Sequence, residues 1–176
     1  VTTVVLLPGF GGRADQPILT KLEARLDFAC ARLAPPRLPL TPGLEAYVDW
    51  LEAEAPRGTL AIVGRSFGGR LAVRLAARRQ LEAIVLLGFP VRPPKKPRPL
   101  DEAALAAVSC PTLIVQGTKD ALGPLKVLRP IVEANPKLSL LELPGAGHSF
   151  GAKEKGALDA AAAWLDRTIA ARSRRP

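Results

Sequence analysis

An apolar run from Leu60 to Val63 meets Gly64, Arg65, Ser66, Phe67, Gly68 and Gly69, and beyond them Leu71, Leu75 and Ala76 recur on one helical face. Few folds accept this order of residues. Four apolar positions ended by a glycine make a buried strand, and the spacing that follows makes a helix packed against it. The chain has to reverse between the two, and glycine at 64 and 68 leaves room where a β-carbon would collide. So sharp a turn lifts the Ser66 hydroxyl off the sheet and aims the first N–H groups of the helix at whatever the hydroxyl meets. The competing reading is a glycine-rich strand-to-helix turn around a buried serine.

The same alternation runs through the whole chain. Residues 1–7 read as a buried strand broken by Pro8-Gly9-Phe10-Gly11-Gly12, and Ile18, Leu22, Leu26 and Ala29 place a helix over 17–31. A short second strand falls at 30–33, cut off by Pro35 and Pro36, and Pro42-Gly43 opens a helix over 44–55. Strand three is 59–64, its helix 67–79, and strand four 81–88. A basic, proline-rich loop over 90–99 leads to a short helix, 102–108, capped by Asp101. Strand five is 111–116, and a helix over 124–134 carries a kink risk at Pro130. Strand six is 138–143, and the last helix, 155–171, ends in a frayed basic tail, 172–176. Helices between successive strands demand parallel pairing with right-handed crossovers. The expectation is one α/β domain over residues 1–176, a three-layer α/β/α sandwich.

Composition narrows the classes. The chain has 176 residues, long enough to bury a sizeable core, and no apolar run approaches the roughly 20 residues that span a bilayer. Its apolar start lacks the basic leader and cleavage site of a signal peptide. Cys30 and Cys110, both among apolar residues, read as buried thiols in a reducing cytosol rather than a disulfide framework or metal site, so the expected location is cytoplasmic. A single asparagine, no methionine and many loop prolines fit a thermophile. The net charge of +9 suits an anionic substrate, weak nucleic-acid attraction or a merely basic surface. Nucleic-acid binding is disfavoured, because the basic residues are scattered and five Phe, two Trp and one Tyr form no stacking stripe.

The glycine-rich loops follow strands one, three, five and six, which in a parallel sheet puts them all at its carboxyl edge. A serine hydroxyl needs a base, and His148, the one histidine, lies in the loop after strand six. Asp120, just past strand five, is the expected orienting carboxylate. Asp101, after strand four, is its one serious rival, since Asp49, Asp159 and Asp166 fall on helices. The backbone N–H groups of Phe10 and Phe67 are the expected oxyanion donors. Arg65 and Lys119 flank these residues and, with the basic loop, are candidate contacts for a carboxylate- or phosphate-bearing substrate. The preferred reading of those cations is plainer: a solvated surface, or Arg65 tied to a structural carboxylate.

Gly-Phe-Gly-Gly after strand one, Gly-Arg-Ser-Phe-Gly-Gly-Arg, Gly-Thr-Lys-Asp and Gly-Ala-Gly-His-Ser together resemble the α/β-hydrolase superfamily, in particular its small, lidless dienelactone-hydrolase-like branch. Within it, the chain is similar to the group containing the testis-expressed hydrolase-like protein and the hydrolase-like domain of subunit three of the non-specific lethal chromatin complex. The Gly-Phe-Pro-Val-Arg-Pro-Pro-Lys-Lys-Pro segment shares in it. The resemblance implies a minimal hydrolase fold of about six parallel strands in the order 2-1-3-4-5-6, without a cap domain. Dienelactone hydrolase itself uses cysteine where this chain has Ser66. The expected activity is cleavage of small carboxylic esters or thioesters through an acyl-enzyme on Ser66. That chemistry calls for a small-molecule acyl substrate and neither a metal nor an organic cofactor. The alternative is a hydrolase-like interaction module for a protein partner. The oligomeric state stays open.

Overall fold

The computed structural model describes residues 1–38 and 43–173, apart from the side chains of 172 and 173. Six strands and six helices alternate: β1 (Thr3–Leu7), α1 (Pro17–Glu23), β2 (Ala29–Arg32), α2 (Leu44–Glu54), β3 (Leu60–Arg65), α3 (Phe67–Leu75), β4 (Ala83–Leu87), α4 (Pro99–Ala106), β5 (Thr112–Gly117), α5 (Leu125–Ala134), β6 (Leu138–Leu143) and α6 (Glu154–Ser173). All strands pair in parallel, in the order β2-β1-β3-β4-β5-β6. No cap domain interrupts the described residues.

Side-chain alternation along the strands divides the core in two. Val5, Leu7, Ile62, Ile84, Leu86 and Ile114 face one way, where α2, α3, α4 and α5 cover them. Val4, Leu6, Val63, Val85, Leu87 and Val115 face the other way, under α1 and α6. Because β3, β4 and β5 are covered on both faces, every one of their residues is buried, and their stretches 60–63, 83–87 and 113–115 read as continuous apolar runs. β2 and β6 are edges, and each leaves part of its length in water. No helix among the described residues is long and apolar enough to cross a membrane.

Two helices differ from the sequence reading. The first helix stops at Glu23 instead of running to Ala31. Its continuation competes with strand pairing, and Thr3 to Leu6 of β1 claim Ala29 to Arg32 as partners. Leu26, part of the spacing that suggested helix, instead packs with Phe28 against the core under α1 and α6 as the chain returns to the sheet. The helix expected at 102–108 starts three residues earlier, because Pro99 presets its first turn. Asp101 therefore lies inside that turn and makes no cap. Cys110 is buried as expected, but Cys30, on edge strand β2, is only half-buried. Pro130 sits inside α5, which continues through it to Ala134. Gly43 occupies the N-cap position of α2. Pro42 and residues 174–176 of the expected basic tail lie outside the described residues.

Candidate active site

Ser66 joins β3 to α3 with φ 50° and ψ −108°, a backbone conformation far from the allowed basins of a residue with a side chain. Two close approaches impose it. A β-carbon on Gly64 would stand 2.3 Å from the Gly69 nitrogen, and one on Gly68 would stand 2.6 Å from both the Leu7 β-carbon and the Leu7 carbonyl oxygen. Only glycine lets the first turn of α3 fold back onto β3 and β1. A serine at a helix N-cap ordinarily accepts from the N–H groups of its own helix. Ser66 makes no such bond. Its hydroxyl is instead held by His148, with Nε2 2.9 Å from Oγ.

The loops after β5 and β6 carry the other two groups, and they are clamped to each other. Lys119 N–H donates to the Ala146 carbonyl at 2.9 Å, and Gly145 N–H to the Thr118 hydroxyl at 2.8 Å. Across this clamp His148 Nδ1 lies 2.7 Å from Asp120 Oδ2. A carboxylate can only accept, so Nδ1 carries the proton and Nε2 faces the hydroxyl as the acceptor. Asp120 is 3% exposed. Its Oδ1 accepts from Leu122 N–H at 2.9 Å, and its Oδ2 accepts a second bond, from Gln116 Nε2 at 2.8 Å.

Gln116, fully buried on β5, was not singled out by the sequence reading. Its amide also donates to the Gly123 carbonyl at 3.0 Å and accepts from Phe89 N–H at 2.8 Å. One side chain thereby ties the loops after β4 and β5 to the carboxylate. The only signal in the sequence was a polar residue at the end of an apolar strand.

Arg65 takes a place other than the expected one. It is 8% exposed and turned into the protein, where Nη1 donates to the Leu87 carbonyl at 2.9 Å and Nη2 to the His148 carbonyl at 2.6 Å. Its guanidinium lies over the Phe150 ring, 5.5 Å from the centroid. Burial pushes it below its ordinary pKa, against the opposing charges of Asp120 and Glu154. It is tied to backbone carbonyls rather than to a structural carboxylate, and it braces the histidine loop instead of facing a ligand. Lys119 is exposed and joins the clamp through its backbone N–H rather than its side chain. Asp101, the rival carboxylate, is 2% exposed and paired with Arg70 at 2.5 Å and Arg74 at 3.7 Å, so it joins α4 to α3 and does not approach His148.

The loop after β1 completes the rim. Gln16 Oε1 accepts from Gly9 N–H at 3.1 Å, and Gly68 N–H donates to the Pro8 carbonyl at 3.1 Å, which pins the loop against α3. The N–H groups of Phe10 and Phe67 donate to no acceptor among the described residues. The Phe10 and Phe67 rings meet edge to face at 5.4 Å, and Tyr47 meets Phe67 in the same way at 5.3 Å. Ser66 opens into a cavity of about 710 Å³ that these aromatic residues share with the loop after β4. Among the described residues no cluster of side chains is suited to hold a metal ion.

A parallel sheet in this order, with a strained serine at a strand-to-helix turn and a histidine–aspartate pair from its last two loops, defines an α/β hydrolase. Residues 9–173 match the alpha/beta hydrolase domain family, and the chain belongs to it. Solved structures with the same fold include Est1E from Butyrivibrio proteoclasticus, at TM-score 0.75 and 15% identity over 96% of this chain and 88% of that one. A thermophilic esterase from Thermogutta terrifontis, with malate bound, superposes at TM-score 0.75 and 18% identity, covering 96% and 91%. A putative hydrolase from Xanthomonas campestris pv. campestris gives TM-score 0.70 and 21% identity over 94% and 98%. No curated protein sequence matches the chain significantly.

Proposed function

We propose that this hydrolase cleaves small carboxylic esters or thioesters through an acyl-enzyme on Ser66. The observation that carries the reading is the unbroken line from Ser66 Oγ through the His148 ring to Asp120 Oδ2, at 2.9 and 2.7 Å. His148 Nε2 takes the hydroxyl proton as Oγ attacks the acyl carbonyl, and Asp120 holds the ring in the required tautomer and offsets the charge it gains. The carbonyl oxygen becomes an oxyanion next to two N–H groups with no other partner among the described residues, those of Phe10 and Phe67. His148 then returns its proton to the leaving alcohol or thiol. Water, deprotonated by the same nitrogen, attacks the acyl-enzyme and releases the acid with Ser66 restored.

The absence of a cap over the described residues leaves Ser66 reachable by small, soluble substrates. An esterase and an N-formylmaleamic acid deformylase from Pseudomonas putida S16 are among the proteins of like fold, which agrees with acyl transfer at this rim. The test is turnover of p-nitrophenyl acetate and of an acyl thioester. Wild type should hydrolyse at least one, and Ser66→Ala should lose about three orders of magnitude or more in kcat with its fold intact by circular dichroism. Equal turnover by the two proteins contradicts the proposal.

A further inference from the structure

We propose that the cavity over Ser66 takes an ester bearing a free carboxylate, which Arg98 grips with help from Lys96 while the apolar part of the substrate lies against Phe10, Phe67 and Tyr47. The proposal rests on the hydrolase reading of Ser66 and names the substrate class that reading leaves open.

The lining of the cavity is mixed in chemistry. Phe10, Tyr47, Phe67 and Leu44 supply apolar lining, and Arg70, Lys96 and Arg98 supply positive charge, with the Arg70 guanidinium 5.8 Å from the Phe67 ring centroid. The cations are not equivalent. Arg70 is occupied by Asp101, which it shares with Arg74. Lys96 and Arg98 make no ion pair among the described residues. What sets Lys96 and Arg98 apart from the other cations without an ion pair is their place in the lining of the cavity that holds Ser66.

Arg98 is half-buried, and it donates from Nη1 to the Pro90 carbonyl at 3.0 Å. That bond leaves its Nε–Nη2 edge, two parallel N–H donors, without a partner among the described residues. The spacing of that edge matches the two oxygens of a carboxylate. Burial and the nearby Arg70 charge both pull Arg98 below its ordinary pKa, and Asp101 offsets only part of this. An anion placed there relieves the strain of an under-compensated charge.

The ends of the loop are also fastened before any ligand arrives. Arg92 meets Glu102 through two bonds, at 2.7 and 2.6 Å, and its N–H donates to the Leu122 carbonyl at 3.1 Å. Val91 is fully buried beneath. The loop that presents Arg98 is therefore fastened on both sides, and little ordering is needed on binding.

Two p-nitrophenyl esters of similar length test the proposal: the neutral butyrate and the glutarate monoester, which ends in a carboxylate. The ratio of their kcat/KM values, charged over neutral, should be about ten or more in wild type. It should fall about tenfold in Arg98→Gln and partly recover in Arg98→Lys. A wild-type ratio at or below one overturns the proposal. So does an Arg98→Gln protein that loses both activities equally, since that is what a purely structural bond to Pro90 predicts. Calorimetric titration of 4-phenylbutyrate and its neutral amide keeps the test independent of turnover. Tighter binding of the acid, lost in Arg98→Gln, supports the carboxylate site even if neither ester is cleaved and the hydrolase reading fails. Equal binding of acid and amide refutes it even if both esters are cleaved.

Discussion

At the scale of single residues, Ser66 carries the largest local stress. Its φ of 50° and ψ of −108° cost about 1–3 kcal/mol in a residue with a β-carbon and little in glycine. Ser66→Gly should therefore be more stable than Ser66→Ala by about 1 kcal/mol in urea denaturation, after allowing for the looser unfolded chain. Equal stability would mean the turn is unstrained. Gln116 makes a different prediction. Gln116→Leu removes a bond to Asp120 and leaves Phe89 N–H and the Gly123 carbonyl unpaired in the core. It should lower stability by about 2 kcal/mol and kcat by up to about a hundredfold, with a smaller change in KM. An unchanged kcat would make Gln116 a purely structural residue. Ser66, His148 and Asp120 were legible in the sequence because each is chemically distinctive and follows a strand end. Gln116 and Arg65 were not. What each does depends on which backbone carbonyls and amides lie within about 3 Å of it, and only the folded loops decide that.

At the scale of elements, the two helices under the cavity are joined by charge. Asp101 in the first turn of α4 reaches Arg70 and Arg74 on α3. Asp101→Asn removes the counter-charge of Arg70, while Arg74 keeps Glu45, and should cost about 2 kcal/mol, read as a drop in the urea midpoint without a change in slope. No loss would show that the pair is only a surface contact. The strands were legible from their apolar runs, since a doubly covered parallel strand leaves little ambiguity. Helix ends were less so. Leu26 and Ala29 keep a helical spacing beyond Glu23, but edge pairing with β1 overrides local preference. Asp101 looked like a cap from its place before a helical pattern. Pro99 moved the helix start and turned the same carboxylate inward to the arginines.

At the scale of the whole molecule, one rule does most to make the site readable: parallel strands send all their carboxyl-end loops to one rim. Residues 66, 120 and 148 are remote in sequence, yet β3, β5 and β6 deliver them to a common edge. The basic net charge was legible too, but not its distribution. Several arginines, Arg70, Arg74 and Arg78 among them, are spent on ion pairs, while Arg98 and Lys96, which make none among the described residues, reach the cavity from the loop after β4. The central claim is that this rim forms a proton relay that makes the Ser66 hydroxyl a nucleophile. Site-mapped mass spectrometry after reaction with a fluorophosphonate measures that directly. The account predicts one adduct, on Ser66, formed about a thousandfold or more slower in His148→Ala. A wild-type protein that stays unlabelled, or one whose Ser66 reacts equally fast without the imidazole, would contradict it.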